Sequence, residues 1–304
     1  MGYDYRHSAL EYVELTEGIR SDNRYVRQWV GRIETGELFI ADLGFFCLEV
    51  FHRLQRKGAY FLSRFLVGTR LYTLKRKSFD MAQWLDQQTA NTLQREVIMG
   101  SERHPDQQVQ CRFIALRVPE PVAKKRRQLL AQQSRKRKSR RPSRLHQVLC
   151  EWTLLVTNVP ASWLPAKLVW PLYRIRWQVE LLFKQLKSVL QVDVCRTTNP
   201  HRFCSELYGK MSVAVLCYGW YGEMEAELYA RDQQEISFQK LFKRFQQHAG
   251  AVLQWLLTRS NTLFGALLKN MNRWLATCLR CRQPSRCTAL QLLEALDFTH
   301  LPAG

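Results

Sequence analysis

No stretch of the sequence is apolar for long enough to cross a bilayer: the longest such run, "MSVAVLCYGWYG" at 211–222, falls short of the about 20 residues a spanning helix needs. The polar start "MGYDYRHS" is no signal peptide. Acids are scarce, with 26 Asp and Glu against 46 Lys and Arg in 304 residues. The formal charge of +20 makes a polyanion the simplest partner. Nucleic acid and an anionic membrane surface both reward such a charge, but the missing span and leader weaken the membrane reading. Cysteines do not come as a disulfide framework. Nine of them, an odd number, are scattered along a large chain, which points to reduced thiols in the cytoplasm. In "CLRCRQPSRC", Cys278, Cys281 and Cys287 could offer three thiolates to zinc, yet no fourth Cys or His stands close by, so no metal site is assigned there.

What is present suits a packed protein: 46% hydrophobic and 12% aromatic residues, enough for one large or two moderate domains. "ALEYVEL" (9–15) alternates as a half-buried strand, and "SDNRYVRQWVGRIE" (21–34) reads as a helix capped near Ser21. After the turn at Gly36, "ELFIADLGFF" begins as a buried strand and ends on an acid, Asp42. "CLEVFHRLQRKG" (47–58) has helical spacing closed by glycine, and "AYFLSRF" returns as a strand. Residues 1–67 therefore read as alternating β and α, the fold class α/β. From 68 to 150 the pattern shifts to stretches such as "VQCRFIALRV", which predict a mostly β insertion. It contains "KKRRQLLAQQSRKRKSRRPSR" (124–144), with eleven Lys or Arg and no acid, expected to be a mobile basic loop. A solvated loop, a phosphate-binding loop and a nuclear import signal share this composition. "EWTLLVTNVP" (151–160) restores a buried strand before Pro160 and Pro165, a second core segment runs to about 220, and 221–304 is expected to be helical.

The informative segment is "YRIRWQVELLFKQLKSVL" at 173–190. With Tyr173 at zero and an advance of about 100° per residue, Arg176, Glu180, Lys184 and Lys187 fall at roughly 300°, 340°, 20° and 320°. Ile175, Val179, Leu182, Leu186, Val189 and Leu190 fall on the opposite face. One carboxylate thus stands among three cations and a phenol. As a helix device, Arg176–Glu180 and Glu180–Lys184 would be ordinary i, i+4 pairs worth a few tenths of a kcal/mol. Pairing alone explains neither the excess of cations nor the second acid, Asp42, at a strand end. An acid that holds a divalent ion, beside cations and a phenol that grip phosphate oxygens, is the equipment of metal-dependent phosphoryl transfer.

The spacing of Tyr173, Arg176, Glu180 and Lys187 resembles the YREK signature of DDE insertion-sequence transposases. "ADLGFF" at 41–46 resembles that family's block around its second catalytic aspartate, and "AYFLSRF" the segment after it. The resemblance spans about 9 to 220 and implies an RNase H-like core with the insertion between the second Asp and the Glu. It implies Asp42 and Glu180 as catalytic metal ligands in a two-metal site for Mg²⁺ or Mn²⁺. It also implies Tyr173, Arg176 and Lys187, with Lys184 one turn past the Glu, as contacts to DNA phosphates. In that scheme one metal activates the attacking water, the other stabilises the leaving 3′ oxygen, and the freed 3′-OH attacks target DNA. The implied partner is double-stranded DNA, at transposon ends and target, with room for a homodimer in a synaptic complex, in a bacterial cytoplasm at the nucleoid. Some members stack a flipped base on a Trp of the insertion; Trp152 is the positional candidate, with a core role the leading alternative.

No first catalytic Asp can be assigned. Only eight residues precede "ALEYVEL", Asp4 lies too close to it, and Asp22 lies beyond it at a helix start. The family's N-terminal DNA-end-recognition region has no counterpart either. The expectation is an N-terminally truncated or alternative-start transposase with weakened metal binding, impaired cleavage and an uncovered sheet edge. The competing expectations are a non-catalytic basic protein that coats nucleic acid and a junction or repair nuclease on the same core.

Overall fold

A computed structural model of the chain describes residues 2–4, 9–12, 22–136, 142–279 and 291. In order these form β1 (Gly2–Asp4), β2 (Ala9–Tyr12), α1 (Asp22–Trp29), β3 (Leu38–Ala41), α2 (Leu48–Arg56), β4 (Tyr60–Arg64), β5 (Leu71–Tyr72), α3 (Met81–Asp86) and β6 (Thr92–Met99). There follow β7 (Val109–Arg117), α4 (Glu120–Lys136), α5 (Arg144–Leu149), β8 (Trp152–Thr157), α6 (Ala166–Ile175), α7 (Trp177–Leu190), α8 (Pro200–Asp232), α9 (Phe238–Thr258) and α10 (Asn261–Cys278). They divide into a sheet unit, residues 16–176, and a helical unit, residues 1–15 with 177–291. Among the described residues no helix is long and apolar enough to cross a membrane.

The sheet unit is a mixed α/β structure around one six-stranded sheet, in the order β3-β4-β8-β7-β6-β5. β3 and β4 are parallel, Leu38 opposite Tyr60 and Ala41 opposite Ser63, and α2 makes the crossover that parallel strands require. Val50, Phe51 and Leu54 of α2 are buried. Phe51 stacks on Phe61 of β4 with centroids 4.3 Å apart, which locks the helix to the sheet. Gly58 ends this crossover at φ +74°, where a Cβ would also stand 3.1 Å from the Thr35 methyl. β8, buried along its whole length, pairs antiparallel with both β4 and β7. The exit from β8 is clasped by polar side chains. Thr157 Oγ1 donates to Phe61 O, and Asn158 both accepts from Phe61 N and donates to Ala59 O. Buried Arg112 of β7 donates to Val159 O at 2.8 Å, to Leu164 O at 2.9 Å and to Gln94 Oε1. These bonds fix the loop that launches α6, which packs across β6.

In the helical unit, β1 and β2 pair antiparallel as a separate two-stranded sheet. Asn199 caps α8, its Oδ1 accepting from His201 N and Arg202 N, with Pro200 at the first helical position. Leu182 and Leu186 of α7 bury against Tyr218 and Tyr221 of α8 and Phe238 of α9 in a second core. Tyr218 and Phe238 stack at 3.9 Å.

Strands β3, β4 and β8 and helix α2 lie where the alternation of the sequence puts them. Three features differ. "ALEYVEL" starts as β2 but pairs with β1, not with the sheet that carries β3; residues 13–15 and the cap at Ser21 lie outside the described residues. Among the described residues the stretch 68–150 is not mostly β: β5, α3, β6, β7, α4 and α5 follow in that order, and the strands extend the core sheet. The basic segment is a helix through Lys136 rather than a loop. Its inner face has partners: Arg126 donates to Trp152 O and Thr153 Oγ1, and Arg127 pairs with Glu120 and Glu151. Residues 137–141 of that segment lie outside the described residues. β3 is an edge strand of the sheet among the described residues.

Candidate active site

Asp42 follows β3 directly and heads a short 3-10 turn, Leu43–Phe45, in an extended conformation. An aspartate at a helix head ordinarily caps the first free amides. This one makes no capping bond. Its carboxylate turns instead toward the end of α6, where the Tyr173 hydroxyl donates to Oδ1 at 3.3 Å and Arg176 Nη1 lies 3.7 Å from Oδ2. Residues 131 positions apart are brought together by the β3–β4–β8 pairing and the clasped loop ahead of α6.

The three groups differ in environment. Tyr173 is buried, and burial pushes its phenol up to about 12, the Asp42 charge acting in the same direction while Arg176 and Arg64 oppose it. It is therefore a protonated donor at neutral pH. The Asp42 side chain is 44% exposed, against 20% for Arg176. The guanidinium lies 5.9 Å from the Tyr173 ring centroid, and Trp170 stacks on Tyr173 with rings 5.9 Å apart.

Tyr173 and Arg176 do not share one helix with Glu180. α6 ends at Ile175, the Arg176 amide turns back to Tyr173 O in a tight 3-10 step, and α7 begins at Trp177. The expectation of one continuous striped helix is corrected to that extent. On α7, within the helical unit, Glu180 is half-buried, and Lys184 and Lys187 are exposed. The Lys184 ammonium lies 5.6 Å over the Trp177 ring. Leu182 and Leu186 are buried as the apolar face predicts; the side chains of Val189 and Leu190 lie outside the described residues.

Two residues around Tyr173 were missed in the sequence. Arg64 ends β4, one position past the Ala41–Ser63 pair, so parallel register alone could have placed it beside Asp42. Trp170 sits three residues before Tyr173, the spacing of side chains that share a helix face. Trp152 is a core side chain of β8, 3% exposed and covered by Arg117, whose guanidinium lies 4.6 Å from its ring.

The donor set suits a hard cation. An ionised carboxylate has about four lone-pair directions, and both contacts to Asp42 are long, so its half-exposed oxygens retain acceptor capacity. Carboxylate oxygens select Mg²⁺ or Mn²⁺ over soft metals. Among the described residues no group of three His, Cys, Asp or Glu gathers as a metal site. Cys278 is buried; Cys281 and Cys287 lie outside the described residues.

A strand-end carboxylate thus lies against a phenol and a guanidinium on a strongly cationic α/β chain. Residues 1–216 match the family model described as Transposase DDE domain, and the chain belongs to that family of DDE transposase enzymes. It is similar to the transposase for insertion sequence element IS231F of Bacillus thuringiensis subsp. israelensis, 28% identical over 264 residues, covering 81% of this chain and 54% of that protein. It is also similar to the transposase for IS231E of Bacillus thuringiensis subsp. finitimus, 23% identical, covering 88% of this chain and 59% of that protein. The transposase for IS1151 of Clostridium perfringens is 24% identical, covering 81% and 55% respectively. The chain thus spans little more than half the length of these relatives. No solved structure gives a significant match.

Proposed function

We propose that the chain acts on DNA as an insertion-sequence transposase, by metal-dependent hydrolysis of phosphodiesters at transposon ends and transfer of the freed 3′-OH to target DNA. The observation that carries this reading is the turn of Asp42 away from its cap and onto Tyr173 and Arg176. The resemblance of 41–46 and 173–187 to the family's motifs implies one site for all three, which supports the reading. On this reading the sheet unit is an RNase H-like core, and Asp42 and Glu180 would hold Mg²⁺ or Mn²⁺. Such a cation supplies Lewis acidity at the scissile phosphodiester, which no side chain here provides.

The chain's own groups do the rest. Tyr173, protonated at neutral pH, would turn its one O–H from Asp42 to a phosphate oxygen, and Arg176 would fork onto the same phosphate while it keeps Asp42 in place. Lys184 and Lys187, exposed on α7, hold the backbone of the strand beyond. Two copies would bring two DNA ends together in a synaptic complex, in the bacterial cytoplasm at the nucleoid.

The test is a gel assay of end-labelled DNA with Mn²⁺. The wild type should nick DNA only with metal, and Asp42→Asn and Glu180→Gln should each lower nicking by about 100-fold or more while DNA binding in EDTA stays equal or tightens slightly. Metal-independent binding, equal in all three proteins and without nicking, would instead support a non-catalytic coating protein.

A further inference from the structure

The helix α4 presents two faces with different fates. On the inner face Ala123 is buried and the guanidinium groups of Arg126 and Arg127 are committed to β8, Glu120 and Glu151. On the outer face Lys124, Lys125, Gln128, Gln132 and Arg135 are exposed. At about 100° per residue these five fall within an arc of roughly 100°, and Lys124 to Arg135 spans about 17 Å of helix. Among the described residues, Lys124, Lys125 and Arg135 have no acid in ion-pair contact. Position 128, one turn beyond Lys124, is where a Glu would neutralise the row; the sequence places an amide there, and another at 132.

A face that is merely solvated gains nothing from uncompensated cations, which repel one another. Charged and amide donors at one-turn intervals suit a regular row of anionic oxygens. Duplex DNA offers one phosphate per strand about every 3.4 Å of axis, so about 17 Å faces roughly five of them. Arg, Lys and Gln are all donors used on phosphate. A helix that lies on lipid would need a broad apolar face free to enter it; here the inner face is spent on the sheet, and the exposed Val122 and Leu129 form no such face.

We propose that the outer face of α4 is a docking surface for the sugar-phosphate backbone of duplex DNA, in addition to the contacts assigned to Tyr173, Arg176, Lys184 and Lys187. The proposal rests on the reading of the chain as a DNA-acting protein. It binds without sequence preference and without metal, and it holds DNA that flanks the site of chemistry.

The test is fluorescence anisotropy of a labelled duplex of arbitrary sequence, in EDTA, over a salt series. Lys124→Gln/Lys125→Gln/Arg135→Gln should flatten the slope of log affinity against log salt by about 2 to 3, and each single substitution by about 0.9. Arg70→Gln/Lys75→Gln/Lys77→Gln removes three exposed cations elsewhere in the sheet unit and should change the slope by less than about 1. Gln is nearly as good a helix former as Lys or Arg, so circular dichroism should match the wild type. An unchanged slope in the α4 variant overturns the proposal, as does an equal loss in the control. Lost binding to anionic vesicles with duplex binding intact also overturns it. If the α4 slope is unchanged while Glu180→Gln still abolishes nicking, only this proposal fails. If the wild type does not bind duplex at all, the DNA-acting reading fails with it.

Discussion

Tyr173 couples burial to chemistry. Its phenol is held neutral by desolvation and by the negative charge of Asp42, so the raised value belongs to the folded state alone. Stability from keeping the phenol neutral is complete below the ordinary tyrosine value of 10 and is lost as pH rises from there to about 12. An alkaline titration of phenolate absorbance should therefore show, in the difference between wild type and Tyr173→Phe, one late-ionising tyrosine near pH 12. In Asp42→Asn that ionisation should move down, because the charge that opposes it is gone. A second residue acts at a distance from the chemistry. Arg112 holds two buried carbonyls of the loop that launches α6, and burial pulls its guanidinium below the ordinary arginine range, the Glu96 charge opposing. Arg112→Met leaves both carbonyls without a donor and should cost roughly 2–4 kcal/mol, read as a lower urea midpoint at unchanged slope. Arg112→Lys should recover only part of it, since an ammonium cannot fork to both carbonyls and Gln94.

At the scale of elements, α4 depends on two arginines of its inner face. Arg126→Gln/Arg127→Gln should raise amide hydrogen exchange across 120–136 by about 10-fold, the equivalent of one or two hydrogen bonds, whereas Lys124→Gln should not. This helix was the element least legible in the sequence. A charge run without acid suggests solvent, yet "PEP" at 119–121 carries a start signal, with Glu120 in the first turn and Pro121 close behind, followed by strong helix formers. The signal is local; the partners that make the helix pack, Trp152 O and Glu151, lie 26 and 24 residues on and are invisible to periodicity. The βαβ unit of β3, α2 and β4 was legible because apolar runs, helical spacing and Gly58 all agree on it. The break at Arg176 was not, because a single tight turn changes no residue's polarity. The sharing of Asp42 by Tyr173 and Arg176 needed the resemblance of 173–187 to a known signature, since no local pattern joins positions 131 apart.

At the scale of the whole molecule, a charge of +20 is gathered on a chain with two separate hydrophobic cores, one under the six-stranded sheet and one among α7, α8 and α9. Charge of this size brings polyanions to the surface but leaves them undiscriminated. On the proposed reading, discrimination comes from the carboxylates of Asp42 and Glu180. The direct measurement is Mn²⁺ binding, by calorimetry in the absence of DNA, to the wild type, Asp42→Asn and Glu180→Gln. The account predicts measurable binding by the wild type that falls at least about 10-fold in each variant, since each loses one charged oxygen ligand. Undiminished affinity in either variant would contradict it.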